Sequence, residues 1–345
     1  MNAPLTTPAT TTTEGPALGK AAPRRLVRLA AFRDLALVPP IIILLLLGAA
    51  INDRFLTGAN VVNILSTAAP LAILVLAASL VLLTGKFDLS LESTVGLAPA
   101  IGVMLVAPET AKPFGLGWPT WMGFAAVFVI GAVIGLVNGL MVVKLKLNAF
   151  IVTLAMLIIL RGLQIGLTGG ATLFGFPTAF NALYYPGPLD LPWSSWIAVA
   201  AFVIAGVLLR YHRVVRSLYA IGGNEDAARA AGIRVERVTI GVYVVASAMA
   251  AFAGLCVTAQ LGAVASSQGD GMIFTVFAAA VIGGVSLDGG RGTAFGAACG
   301  VLLITIVGNL LVFLEVPVEW NKAITGGIIL LALMVARITS GKSQA

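Results

Sequence analysis

Residues 61 to 84 read VVNILSTAAPLAILVLAASLVLLT, a run with no charged side chain. Apolar stretches of roughly 17 to 25 residues are the length that crosses a bilayer as a helix, because a helix satisfies its own N–H and C=O groups in hydrocarbon. The pattern recurs near 35 to 52, 61 to 84, 90 to 107, 119 to 143, 147 to 168, 193 to 210, 237 to 262, 273 to 286, 292 to 314 and 321 to 338, with charged or Pro/Gly-rich breaks between. The expected fold is all-α: a polytopic helical membrane protein with about ten transmembrane helices. Only 10% of the 345 residues are charged and 59% are hydrophobic, where a soluble domain carries about a quarter charged residues. A water-soluble reading is excluded.

The formal net charge of +7 does not indicate nucleic acid, since a basic stripe with interleaved aromatics is missing and most positive residues flank apolar runs. Membrane topology explains them. Placing the N-terminus on the cytoplasmic side leaves only Arg54, Lys112 and Lys322 outside and Arg161 within a span; all the other Lys and Arg fall inside, as the positive-inside rule requires. Both termini are therefore expected to be cytoplasmic. Residues 1 to 34, rich in Thr, Pro and Ala and closed by Arg24, Arg25, Arg28 and Arg33, cannot bury a core and are expected to be disordered. Residues 35 to 338 form the transmembrane domain, and 339 to 345 a short cytoplasmic tail.

The longest inside loop, 211 to 236, gathers charge that the chain otherwise avoids. In LYAIGGNEDAARAAGIRVERV, residues 218 to 238, Asn224 is an expected N-cap, Glu225 and Asp226 suit the positive end of a helix dipole, and Gly232 is a natural left-handed stop. About two turns of helix outside the bilayer are expected. Its Ala227, Ala228, Ala230 and Ala231 leave the backbone open to close approach by another protein.

Several chemistries lack their residues. A phosphate-binding loop needs a Gly five residues before Gly-Lys-Ser/Thr so that backbone N–H groups cradle phosphate; Gly341-Lys342-Ser343 is present, but Ala336 stands at the first position. His212, the one His, lies between arginines at a membrane edge, where a headgroup-level role is expected. No Cys/His/Asp/Glu cluster has ligand spacing, so no metal and no cofactor is expected in this chain. Cys256 and Cys299 fall at different depths and are read as buried small hydrophobes. Arg161 is the only charge read as clearly intramembrane, which weighs against an ion-coupled carrier built on buried ionisable groups. Such a secondary carrier of a small polar solute remains the alternative to an ATP-driven system.

Two Gly-rich charged breaks, TGKFDLSLES and GGVSLDGGRG, carry Gly85, Asp88 and Glu92 in one and Gly283, Gly284, Asp288 and Arg291 in the other. They read either as re-entrant breaks lining a cavity or as ordinary loops. An ion pair between Asp88 and Arg291 is one expectation. Asn138, Gln164, Gln260 and Asn309 are polar within apolar runs and, with Asp88, are the candidates for contact with a polar solute; helix-to-helix hydrogen bonding is the other reading.

Four segments, TGKFDLSLES, NAFIVTLAMLIILRG, LYAIGGNEDAARAAGI and AAAVIGGVSLDGGRGTAFGA, in this order and spacing resemble the membrane-spanning permease subunit of bacterial ABC importers for monosaccharides, the ribose/xylose/galactose class. The resemblance runs from about residue 40 to 338. It implies a bacterial inner-membrane location, alternating access, and a short cytoplasmic coupling helix that docks on a separate ATPase subunit, where ATP and Mg are bound. Asp226-Ala227-Ala228 followed after three residues by Gly232 matches the acidic-Ala-Ala-x-x-x-Gly pattern; Gly222, Gly223, Asn224, Glu225, Arg229 and Ile233 complete the implied coupling set. A periplasmic or lipid-anchored sugar-binding protein and a second permease copy, identical or related, are the other implied partners. The chain departs from the pattern at Lys86, where a glycine is common, and at Ile273 and Thr275, where an acidic pair is common.

Overall fold

The computed structural model describes residues 37–111 and 115–317, together with residues 320, 323, 324, 326, 327, 330 and 334. The expected tails, 1 to 34 and 339 to 345, lie outside the described residues, as does most of the run 321 to 338. Among the described residues there are eleven α-helices and no named strand: α1 Val38–Ile51, α2 Gly58–Leu83, α3 Leu91–Val106, α4 Thr120–Val143, α5 Ala149–Thr168, α6 Trp193–Tyr211, α7 Arg213–Gly223, α8 Glu225–Ala230, α9 Val235–Leu261, α10 Met272–Ile282 and α11 Ala294–Phe313. Six of them, α2, α4, α5, α6, α9 and α11, are long and apolar enough to cross a membrane. The other three apolar helices are shorter, at 14, 16 and 11 residues for α1, α3 and α10. At 1.5 Å per residue α10 is only about 16 Å long, half of a hydrocarbon core of about 30 Å. The expected run 273 to 286 is therefore a part-length helix that ends at Gly283.

Helix ends follow their capping residues. Thr57, Asn148 and Thr293 accept from the backbone N–H groups of Asn60, Ile151 and Gly296, satisfying donors that the first turns of α2, α5 and α11 leave open. Gly169 and Gly262 close α5 and α9 in the left-handed region.

The core gathers on α2, of whose most apolar window 78% is buried, against 22% for α5 and α6. Around α2 pack α9, α10, α11, α6 and α7. The most extensive helix contact is between α4 and α9, and glycine makes it possible. Gly131, Gly135 and Gly139 fall four apart on one face of α4, and a Cβ on any of them would run into α9, at Ser247, Tyr243 and Ile240 respectively. Close backbone approach through small residues is how helices adhere where no water drives them together. Cys256 and Cys299 are both buried.

Candidate functional site

The 211–236 loop holds two helices where the sequence suggested one. The amphipathic α7 buries Leu218 and Ile221 and leaves Arg213 and Arg216 exposed. The short α8 follows. Asn224 caps it, its side chain accepting from Ala227 N at 2.8 Å, and Gly232 at φ +82° ends it, donating to Arg229 O while Ile233 N donates to Ala228 O. Ala227, Ala230 and Ala231 are exposed. Ala228 is not part of that open face: it packs inward on Ile221 and Val235.

The loop is seated on both Gly-rich breaks. A Cβ on Gly222 would collide with Leu83 O and Gly290 N; one on Gly289 would meet the Gly85 backbone and Gly222; one on Gly290 would meet Gly223. Gly290 N also donates to Leu83 O at 3.0 Å, and Tyr219 Oη to Gly292 O at 2.9 Å. Gly222, Gly289 and Gly290 thus form a junction with no room for side chains, packed against the backbones of Gly85 and Gly223, and Asp288 lies against Gly85. Gly283 packs on the start of α11. Gly284, at φ +81°, makes the turn that α10 needs.

Charge ties α8 to the membrane body. Lys86 Nζ lies 3.3 Å from Glu225 Oε2, Arg229 Nη2 lies 2.8 Å from Glu225 Oε1, and Glu236 is paired with Lys144 at 2.6 Å and Arg229 at 3.9 Å. The hydrogen bond from Arg229 holds the Glu225 carboxyl below its ordinary range; burial opposes this, and Lys86 reinforces it. Behind α8 this clasp borders a cavity of about 660 Å³, also lined by Lys146, Asn148 and Thr239. Lys86, which stands out in sequence only as a departure from a resemblance, is therefore the link between the first break and α8.

Deeper in the same break, Asp88 is buried and its Oδ1 accepts from Ser90 N at 3.0 Å and Ser90 Oγ at 2.6 Å. The expected Asp88 to Arg291 pair is absent among the described ion pairs; a hydroxyl and an N–H two residues away satisfy Oδ1, and the buried Oδ2 has no hydrogen-bond partner among the described residues. Asn138 Nδ2 donates to Ser90 Oγ at 2.7 Å, tying α4 to the break.

Where α3 begins, the first break meets the start of α10. Glu92 Oε2 accepts from Ile273 N at 3.0 Å, in the first turn of α10, and Oε1 lies 3.6 Å from Arg161 Nη2. Arg161 Nη1 donates to Gln164 Oε1 and Gln268 O, and Nη2 lies 3.7 Å from Asp270 Oδ1. Gln164 Nε2 donates to Ala265 O and Ser266 O, and Gln268 Nε2 to Val95 O and Gly254 O. Arg161 is thus not a solitary intramembrane charge. Residues 262–271 fold back beside the start of α3, where a Cβ on Gly269 would strike Glu92 O. Glu92 brings a carboxylate to the backbone of Ile273, and the partners of Arg161, the acidic Glu92 and Asp270 and the backbone of Gln268, were missed because they join it through space.

Of the remaining solute candidates, Asn309 is bonded reciprocally to Asn60, at 2.9 and 3.0 Å, a helix-to-helix contact between α11 and α2. Gln260 stands near the end of α9, half-buried, and is not brought to the others.

Residues 60–333 match the family described as branched-chain amino acid transport system / permease component. The chain is 33% identical over 304 residues to the autoinducer 2 import system permease protein LsrC of Salmonella choleraesuis (strain SC-B67), covering 88% of this chain and 85% of that protein. It is 33% identical over 299 residues to the ribose import permease protein RbsC of Escherichia coli (strain K12), covering 86% of this chain and 91% of that protein. No solved structure matches the chain significantly.

Proposed function

The chain belongs to the family of branched-chain amino acid transport system permease components, and from that premise we propose that it forms the translocation pathway for a monosaccharide in an ATP-driven importer of the bacterial inner membrane. Ribose in the name of one relative at 33% identity supports the sugar class. The chain supplies the pathway and no ATP chemistry; a separate ATPase subunit binds ATP and Mg, a sugar-binding protein delivers the solute, and a second permease copy completes the pathway.

The observation that carries the reading is the build of α8. It is capped at one end by Asn224 and stopped at the other by Gly232, presents exposed Ala227, Ala230 and Ala231, and is clasped to the first break through Glu225 and Lys86. Such a peg accepts a push from a docked subunit and passes it to the membrane body, which answers by exposing its cavity to one side and then the other. With the 211–236 loop cytoplasmic, both termini are cytoplasmic, as the Lys/Arg distribution supports. Gly222 and Gly223 seat the loop, Asp226 and Arg229 face the ATPase, and Ile233 anchors the exit from α8. Asp88, Asn138 and Gln164 act on the solute indirectly, by holding the breaks.

Co-purification with the ATPase subunit tests this. Gly232→Val forces a β-branched residue into the left-handed region, at about 1 to 2 kcal/mol, and is expected to lower ATPase recovery and uptake together. Uptake driven by an ion gradient by the chain alone in liposomes would instead establish the secondary carrier.

A further inference from the structure

On the other flank of α7 a cavity of about 990 Å³ opens between α2, α6 and α9. Its walls are apolar: Leu76 and Leu80 of α2, Ile204 and Leu208 of α6, Val245 and Met249 of α9. Val214 and Leu218 of α7 cover one end. The same cavity is lined by three arginines, Arg213 at the start of α7, Arg234 at the cap of α9 and Arg237 in its first turn. All three are exposed. Among the described residues none of the three takes part in an ion pair, whereas Lys86, Lys144, Arg161 and Arg229 each have an acidic partner.

We propose that this groove binds one anionic phospholipid, with an acyl chain lying along α6 and α9 and the phosphate among Arg213, Arg234 and Arg237. In a membrane any apolar groove fills with lipid tails; the unpaired guanidinium groups at its loop end make the headgroup selective. Arginine suits phosphate because its planar fork donates two parallel hydrogen bonds, and basic pockets at helix ends on the cytoplasmic side recognise acidic headgroups. The two sides of the site sit at the two ends of the 211–236 loop. A bound lipid therefore bridges α7 to the beginning of α9 and fixes the posture of α8 between them. This goes beyond the solute and the ATPase and does not depend on which solute is carried.

The test is native mass spectrometry of the assembled transporter released from nanodiscs of phosphatidylcholine with a minor fraction of phosphatidylglycerol. Preferential retention of phosphatidylglycerol is expected. Arg213→Gln, Arg234→Gln and Arg237→Gln should each weaken it by about fivefold, while Arg210→Gln, at a neighbouring arginine outside the groove, should leave it intact. Val245→Trp, which fills the groove without altering charge, should also expel the lipid. No preference in the wild type, or preference undiminished in the triple variant, overturns the proposal. So does a photocrosslinker at position 245 that captures the ATPase subunit or a second permease copy instead of phospholipid.

Discussion

Lys86 shows how much one side chain decides at this site. It stands in the turn after Gly85 and meets Glu225, a residue 139 positions away, which in turn holds Arg229. Both members of the Lys86–Glu225 pair are about a third exposed, so its static stabilisation is small; its importance lies in joining the first break to α8, which the proposed mechanism moves together. Lys86→Glu is expected to leave the protein folded but to reduce uptake per ATP hydrolysed, and the swap with Glu225→Lys to restore part of the loss, measured in proteoliposomes with the complete transporter. The carboxyl of Glu225 is held below its ordinary range, so its contribution is fully present above that range and disappears only as pH falls through the lowered value. The effect of the reversal should therefore be constant across neutral pH. Asn224 and Gly232 were legible in the sequence because capping and left-handed stops are local chemistry. The partner of Lys86 was not, since nothing in a linear chain marks a contact across 139 positions. Asp88 was misassigned to Arg291 for the converse reason: Ser90, two residues away, engages Oδ1, and among the described residues no cation pairs with the buried carboxylate.

For whole elements, apolar runs were sufficient to find the helices, and small residues decide how closely those helices approach. On α4, Gly131, Gly135 and Gly139 let α9 come into backbone contact, whereas on α5 a Cβ added to Gly162 or Gly166 meets nothing. The same residue type therefore has opposite mutational signs on adjacent helices. Gly135→Leu should separate α4 from α9, lowering the thermal unfolding temperature by several degrees at a cost of about 1 to 3 kcal/mol or more. Gly162→Ala should be neutral or stabilising by about 0.5 to 1 kcal/mol. Thermal unfolding of the two variants in detergent checks both signs. What the runs did not reveal was depth: α10 reads as one more crossing by hydropathy, but Gly283 and Gly284 end it after 11 residues.

Taken as a whole, the molecule is organised around the place where α3 and α10 begin. Each starts from a break, and Glu92 joins them by accepting from Ile273 N while pairing with Arg161. Removing one member of a buried pair strands the other charge, at about 3 to 5 kcal/mol, whereas replacing both by neutral groups is far milder. Glu92→Gln and Arg161→Met should each destabilise the protein strongly, and the double variant should recover most of the loss in denaturation measurements. The sequence displayed Glu92 and Arg161 but not their meeting, which depends on residues 262–271 folding back beside α3. Glu92 in the first turn of α3 and Ile273 in the first turn of α10 put one carboxylate at the start of two helices that are each short of a full crossing. Sliding either short helix along its axis must first part that single stitch, and a carboxylate-to-amide bond is undone by a displacement of ångströms.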